Sequence, residues 1–507
     1  MTSEPSTIAG SDAQLRTLAE ELLAERELII ASNRGPVEFT IGADGTLSAQ
    51  RGSGGVVTAL SAVSRFVELT WIAAAMTDGD RRVAAEAGTE RVKAPTTDDR
   101  LYLRFVVTPR NVYQRYYNVF CNPLLWFLQH YMWNTPRTPN ISRAIYEAWE
   151  GGYVPVNRAF AEAVLQEAAG QQAPPYVMVH DYHLYLVPGE VRRQLPEAII
   201  QHFTHIPWPD PRYWELLPRF MRHAIYTNLV AADVIGLQTM RDVRNFLHCC
   251  EAFIEGAEVD YRRSTVWYDG HLTHVKHYPI SIDAQGLTAL AASEEVQRYE
   301  EALAPLFEGR TIVRVDRSEP SKNILRGFRA YELLLQRYPE FHGQVTFLAF
   351  IVPSRTEINL YQTYTDEIFE LVDEINDEYG TADWQPIHLF FENNYEQAIA
   401  AMRHYDVLLV NAVIDGMNLV AKEGALVNTR NGVLVLSEAA GAFEQLGEYA
   451  LPVAPADIEG TVRALHAALI MPEADRRRRA QALRRRVSQE DITTWLETQF
   501  RDLLTLA

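Results

Sequence analysis

DVLLVNAVIDGMNLVAKEGALV (406–427) is the stretch from which the fold can be read. It opens on an almost unbroken apolar run, DVLLVN, of the kind expected of a strand covered on both faces. The run breaks at Asp415-Gly416, where glycine allows a tight turn, and the chain continues with helical spacing. Met417, Asn418 and Leu419 therefore present free amide N–H groups at a helix start, an arrangement that attracts phosphate. Glu423 lies about two helical turns beyond Asp415, so it can face the same cleft and accept hydrogen bonds from sugar hydroxyls. A lone Asp-Gly pair would be read as a helix cap with a solvated glutamate further on. The flanking apolar strand and the partner segments below favour a ligand site.

Working outward, the same alternation of apolar run and helical stretch recurs along the chain, the mark of parallel α/β architecture. Strands are expected at ELIIASN (27–33), LYLRFVV (101–107), YVMVH (176–180), IIQHFTH (199–205), DVIGL (233–237), TIVRVD (311–316), QVTFLAF (344–350), HLFFE (388–392), DVLLVN (406–411) and GVLVLS (432–437). The charged helical stretch EEVQRYEEALAPLFEGR separates two such sets. We expect a first Rossmann-like domain over 1–290, a second over 291–487, and a terminal helix, 488–507, packing back on the first. Two doubly wound halves imply a cleft, with ligands at the carboxyl ends of the strands. The basic run DRRRRAQALRRRV (475–487) is read as a solvated helix face.

Composition narrows the function. The chain has 507 residues, 47% of them apolar or aromatic, enough for two cores. Its 47 Lys plus Arg stand against 66 Asp plus Glu, a net charge of −19, the wrong sign for coating nucleic acid or anionic lipid. Any phosphate must be held by a local basic cluster. Three cysteines, Cys121, Cys249 and Cys250, argue against a disulfide framework and for a reducing compartment. The first 27 residues lack a basic start followed by an apolar run, and no eighteen-residue apolar run occurs, so a cytoplasmic, unprocessed protein is expected.

Four further segments carry chemistry. In VDRSEPSKNILRGF (315–328), Arg317 and Lys322 follow a strand and can converge on a leaving diphosphate. In RGSGGVVTALS (51–61), Gly52, Gly54 and Gly55 permit close approach of backbone to a phosphate or sugar ring, although a plain flexible turn fits equally well. Asn33-Arg34-Gly35-Pro36 places a permanent charge at the end of the first strand. VHDYHLYLVP (179–188) and FTHIPWP (203–209) set Asp181 and His205 at strand ends, where polar groups need a ligand or partner. His180 and His183 lack further ligands at metal spacing, and His248-Cys249-Cys250-Glu251 reads as packed core.

RGSGG, YYNVFCNPLLW (116–126), HDYHL, HIPWP, the Arg317/Lys322 pair, PSR (353–355), DGMNLVAKE (415–423) and GVLVLSEAAGAFEQL together resemble the trehalose-6-phosphate synthase family of retaining nucleotide-sugar glycosyltransferases, colinearly from about residue 27 to 505. The resemblance implies a GT-B fold, two facing Rossmann-like domains with the active site in the interdomain cleft. It implies transfer from a nucleoside-diphosphate glucose, with UDP, ADP or GDP as the nucleotide, to glucose 6-phosphate. Asp415 with Gly416 would bind donor hydroxyls, the amides of Met417, Asn418 and Leu419 the diphosphate, and Glu423 the ribose. Arg317 and Lys322 would stabilise the departing diphosphate. Arg34, Tyr117, Trp126 and Arg355 would hold the acceptor, with Asp181 facing it, while His205 would contact the donor sugar and Gly55 the diphosphate. The implied mechanism is front-side departure in which the leaving phosphate helps take the acceptor proton, with no cofactor and no metal. Partners are then small molecules, without nucleic acid or membrane, and a homo-oligomer is left open. Two departures, a single tryptophan in WIAAAMTDGDRR (71–82) and Asn323 where the glucosyl enzymes commonly have glycine, resemble validoxylamine 7′-phosphate synthase and glucosylglycerol-phosphate synthases. They keep another donor and acceptor pair as an alternative, and a silent sugar-phosphate-binding regulator as a third reading.

Overall fold

The computed structural model describes residues 8–24, 26–51, 57, 64, 67–95, 100–171, 173–356 and 358–506. Gly52, Gly54 and Gly55 lie outside the described residues. The chain divides into two compact units, one formed within 1–280 and 492–507, the other over 281–491.

The first unit is built on a ten-stranded sheet. Its strands are β1 (Leu28–Ser32), β4 (Leu69–Ala74), β5 (Val92–Lys93), β6 (Leu101–Val106), β7 (Tyr176–His180), β8 (Ile199–Phe203), β9 (Val234–Leu237), β10 (Glu258–Asp260), β11 (Thr265–Tyr268) and β12 (His271–His277). A separate hairpin is made by β2 (Val37–Ile41) and β3 (Leu47–Arg51). The sheet order is β10-β11-β12-β9-β8-β7-β1-β4-β6-β5. Strands β12 through β6 in that order pair in parallel, and short antiparallel strands close both edges. The central strands are mostly apolar and buried at every position, as β1, β4, β7 and β8 show. Chain order reverses direction across the sheet between β1 and β7, which are neighbours. That is the switch point at which a crevice opens beyond the carboxyl ends of the strands.

The second unit repeats the scheme. Its strands are β13 (Arg310–Arg317), β14 (Val345–Val352), β15 (Ile387–Phe390), β16 (Val407–Val410), β17 (Val433–Ser437) and β18 (Leu451–Val453). They form an all-parallel sheet, β15-β14-β13-β16-β17-β18. This is the doubly wound dinucleotide-binding order, with its switch point between β13 and β16. Ile312, Phe328, Leu334, Phe347, Leu409, Val435 and Leu465 pack the core between sheet and helices. Helix Ala284–Ala291 belongs to this unit, so the division falls ahead of residue 290.

The basic run does more than form a solvated face. It lies on helix Glu473–Gln489, where Arg477 and Arg478 are exposed. Arg476, however, pairs with Asp406 at 2.9 Å and also donates to the Arg430 carbonyl at 3.0 Å. Arg479 donates to the carbonyls of Tyr449 and Ala450, and Arg484 to those of Leu426 and Asn428. Long basic side chains here satisfy backbone oxygens that would otherwise be left without donors. The three cysteines are free and buried, and among the described residues no helix is long and apolar enough to cross a membrane.

The terminal helix Ile492–Leu504 packs on the first unit. The Trp495 indole N–H donates to the Tyr278 carbonyl at 3.1 Å, and its ring meets Phe203 edge-on at 5.3 Å. The Tyr278 hydroxyl donates to Asp502 at 2.6 Å. Trp495 is 4% exposed. Trp495→Ala should therefore destabilise the first unit by about 3–5 kcal/mol, read from denaturant unfolding followed by far-ultraviolet circular dichroism. An unchanged unfolding midpoint would show that the helix is dispensable.

Candidate active site

In the first unit the switch point is occupied by the segments following β1 and β7. Asn33 ends β1 and is buried, holding the hydroxyls of Tyr113 and Tyr116 through its side-chain amide at 3.2 and 3.1 Å. Arg34 follows, exposed, with its guanidinium interacting with the Tyr117 and Tyr113 phenols. Tyr117 lies on a wide π-type helical segment, Arg115–Leu125, which carries it into a ring stack. Its ring is parallel to Tyr113 at 5.6 Å and to His183 at 5.9 Å. Trp126 is only 2% exposed and stacks on His130 at 4.0 Å. It therefore stands behind the wall and does not present an open ring face. Trp71 is wholly buried in β4, donating to the Ser32 hydroxyl at 2.8 Å.

Asp181 follows β7 with φ at 74°, a left-handed conformation costly for any residue other than glycine. Its backbone N–H donates to Phe203 at 2.7 Å, while its carboxylate accepts from the His205 backbone N–H at 3.3 Å and faces His183 at 3.9 Å. Behind it, His180 and His205 share a 3.2 Å hydrogen bond. Burial drives His202 and His205 down to about 3, and His180 well below its ordinary range, so all three imidazoles are neutral. Among the described residues no group of three His, Cys, Asp or Glu side chains is placed to hold a metal ion.

In the second unit the segments following β13 and β16 meet. Lys322 closes a short 3₁₀ turn, Pro320–Lys322, and its ammonium donates to Asp415 Oδ2 at 2.5 Å. Both side chains are largely buried, at 13% and 15% exposure. Burial alone would lower the Lys322 pKa, but the Asp415 and Asp316 carboxylates hold it above its ordinary value. Asn418, at φ 74°, donates to the same Asp415 oxygen at 3.1 Å and caps helix Leu419–Val427 by accepting from the Ala421 N–H. The 415–418 loop is clamped by the residues after β17. Gly441 N–H donates to the Asp415 carbonyl and Ala442 N–H to that of Met417. A Cβ on Gly441 would stand 1.8 Å from the Gly416 carbonyl oxygen, so only glycine fits there.

Arg317 is 53% exposed and pairs with Glu319 at 2.9 Å. Arg355, after β14, has φ 46° and pairs with the same carboxylate at 3.0 Å, its guanidinium also donating to the Tyr361 hydroxyl at 2.7 Å. Glu423 is half-buried and accepts from the Tyr395 hydroxyl at 3.1 Å. Burial raises its pKa to about 7.

Of the residues singled out in the sequence, Arg34, Tyr117, Trp126, Asp181 and His205 thus belong to the first unit. Arg317, Lys322, Arg355, Asp415, Gly416, Met417, Asn418, Leu419 and Glu423 belong to the second, and Gly55 is outside the described residues. Sequence reasoning missed Glu319, Tyr395, Gly441 and the buried Arg314. Only Arg314 left a signal, a charge within the apolar run TIVRVD.

Comparison with known proteins bears on this arrangement. The family model described as glycosyltransferase family 20 matches residues 26–505. An alpha,alpha-trehalose-phosphate synthase [UDP-forming] A of Dictyostelium discoideum is 31% identical over 92% of this chain, which spans only 61% of that protein's length. Validamine 7-phosphate valienyltransferase of Streptomyces hygroscopicus subsp. jinggangensis is 30% identical over 94% of each chain. The crystal structure of an alpha,alpha-trehalose-phosphate synthase (UDP-forming) from Burkholderia xenovorans, in complex with glucose-6-phosphate, superimposes with a TM-score of 0.80 at 26% identity, covering 94% of this chain and all of that one. These three likenesses extend over both units.

The raised pKa of Glu423 has a consequence for stability. Folding raises it from 4.5 to about 7, so the folded protein binds the proton more tightly and loses stability as pH climbs through that window. Glu423→Gln removes the titration. The variant should melt above the parent at pH 8 and with it at pH 4.5, in ligand-free thermal scans. A melting difference of equal size at both pH values would exclude ionisation of Glu423 as the cause.

Proposed function

The chain belongs to glycosyltransferase family 20, and we propose that it forms trehalose 6-phosphate and UDP from UDP-glucose and glucose 6-phosphate, with retention at the anomeric carbon. The observation that carries this reading is the Lys322–Asp415 pair at the second unit's switch point, beside Arg317 and the start of helix Leu419–Val427. A nucleotide sugar brings both partners such a pair needs, an anion for the lysine and hydroxyl donors for the aspartate.

In the proposed reaction the bond from C1 of glucose to the diphosphate oxygen breaks, and negative charge builds on the diphosphate. Lys322, Arg317 and the amides of Met417, Asn418 and Leu419 stabilise that charge. The acceptor hydroxyl attacks from the face the diphosphate leaves, and its proton passes to the departing oxygen, which balances the step. Asp415 with Gly416 orients the donor sugar, neutral His205 contacts it through an uncharged ring nitrogen, and Glu423 receives the ribose. Gly55 approaches the diphosphate. Asp181 faces the acceptor hydroxyls. Arg34 and Arg355 grip the acceptor phosphate by charge-assisted hydrogen bonds, the Tyr117 ring lines the sugar, and the buried Trp126 supports that wall from behind. The substrates are small molecules, and the chemistry described draws on no cofactor.

Lys322→Ala should lower kcat with saturating UDP-glucose about 10²–10³-fold, the usual cost of removing a group aimed at developing charge. The measurement is initial-rate UDP release with glucose 6-phosphate. Wild-type turnover in this variant would remove Lys322 from the mechanism. In the same assay glucose 6-phosphate should outperform free glucose, glycerol 3-phosphate and a cyclitol phosphate. A preference for the cyclitol phosphate would transfer the activity to the valienyltransferase class, and equal rates with free glucose would refute the arginine roles.

A further inference from the structure

Glu319 stands between two guanidiniums to which the reading above gives different anions. It is completely buried, with residue exposure of 0%. Its Oε1 accepts hydrogen bonds from Arg355 at 3.0 Å and the Ser354 hydroxyl at 2.9 Å, and it forms an ion pair with Arg317 at 2.9 Å. Its Oε2 is also buried and has no hydrogen-bond partner among the described residues. The surrounding backbone fixes it from both sides. Glu319 N–H donates to the Arg317 carbonyl at 2.7 Å, and Lys322 N–H donates to the Glu319 carbonyl at 2.9 Å. The Ser318 N–H reaches across to Val352, tying this turn to the strand that leads to Arg355.

A buried carboxylate with one bare oxygen is expensive unless something else depends on it. Burial opposes its charge, but Arg317, Arg355 and Lys322 together hold its pKa at about 2, so it stays ionised. An amide would fill the same volume and keep the hydrogen bonds from Arg355 and Ser354, so the charge is the property of this position that can be removed by itself. That charge is what the two guanidiniums share. Two guanidiniums sharing one oxygen repel one another less than a bare pair. The same negative charge opposes the anions that those guanidiniums attract.

We infer that Glu319 is a positioning residue for the transfer. It places Arg317, the leaving-group cation, and Arg355, the acceptor-phosphate cation, as one unit, and it moderates their combined pull so that the nucleoside diphosphate is released. The inference rests on the assignment of those two arginines under the proposed function. Glu319 touches neither substrate and acts through the guanidiniums.

Glu319→Gln is the direct test, because the amide oxygen can keep the hydrogen bonds from Arg355 and Ser354 while the amide nitrogen takes the place of the bare Oε2. Only the charge is lost. Calorimetric titration with UDP should show the dissociation constant falling about five- to tenfold, while kcat falls at least tenfold as product leaves more slowly. Loss of the ion pairs should lower the melting temperature in either case, so the sign of the change in UDP affinity carries the test. A merely structural role predicts the opposite sign, weaker UDP binding, and that result would overturn the inference. Unchanged UDP affinity and kcat would overturn it equally. Should the glutamine variant not fold, Glu319→Asp retains the charge but is one methylene too short to hold both guanidiniums. It should lose kcat and raise KM for both substrates without tightening UDP, and parental kinetics in that variant would refute the positioning role. A parent enzyme that binds UDP but shows no transfer to any sugar phosphate would count against the proposed function. It would leave the effect of Glu319 on UDP affinity standing.

Discussion

Arg314 is a whole guanidinium with no exposure to solvent, and the second unit's site is organised around satisfying it. A buried arginine cannot shed its proton, so each of its donors must find an oxygen inside the protein. Arg314 donates to Asp316 at 2.9 Å on its own strand, to the Lys322 carbonyl at 2.8 Å, to Asn411 Oδ1 at 2.9 Å and to the Ile324 carbonyl at 3.4 Å. Those bonds join the end of β13, the turn that carries Lys322, the start of the following helix and the end of β16. Gly327 makes room for it, since a Cβ there would lie 2.3 Å from Nη1. Asn323, left-handed at φ 60°, extends the same tie by donating to the carbonyls of Asn411 and Pro455 at 2.8 and 2.7 Å. The 2.5 Å approach of Lys322 to Asp415 follows from this staple, because both side chains hang from segments that Arg314 and Asn323 fasten together.

Backbone strain is distributed accordingly. Among the described residues, eight non-glycine positions have positive φ, and half of them, Asp181, Asn323, Arg355 and Asn418, belong to the two switch-point constellations. Each is held by bonds that leave it little alternative, such as the Asp181 N–H to Phe203 or the Asn418 side chain to the helix amide. Strained residues persist where the surroundings over-determine them, and such places are enriched in functional sites. Here the strain turns side chains outward from strand ends that would otherwise continue straight.

All ten strands expected from apolar runs are present, because strands buried on both faces announce themselves by composition. Apart from β4, a six-residue run buried at every position that was not among the expected strands, those that went unread have a different character. In the hairpin β2 alternates buried and half-exposed residues and β3 is exposed, β5 and β18 are two and three residues long, and β10 and β11 form an antiparallel edge against the polar strand β12. The site was legible to the same degree. Asp415, Lys322, Arg34 and Asp181 could be picked out as polar groups at the ends of apolar strands. Their partners could not, since Lys322 and Asp415 are 93 positions apart and only the sheet order brings β13 beside β16. Glu319 was not singled out, because its burial between two guanidiniums follows from tertiary packing, and Trp126, assigned to the acceptor, is buried.

The acidity of the chain as a whole and the basicity of its site are reconciled by pairing. Arg314 has Asp316, Lys322 has Asp415, and Arg317 and Arg355 share Glu319, so the ligand-free second unit holds its cations largely neutralised. An incoming anion must therefore exchange partners and does not simply fill an empty positive pocket. Free phosphate can take Lys322 from Asp415 but removes that carboxylate's cationic partner, a loss comparable to the bond gained. A nucleotide sugar, under the roles proposed, supplies phosphate oxygens to Lys322 and hydroxyl donors to Asp415 in one binding event, and both groups end satisfied. The ion pair then discriminates by composition, favouring ligands that carry anion and hydroxyls at the right separation. The same exchange delivers Lys322 to the diphosphate only when a sugar is in place to be transferred.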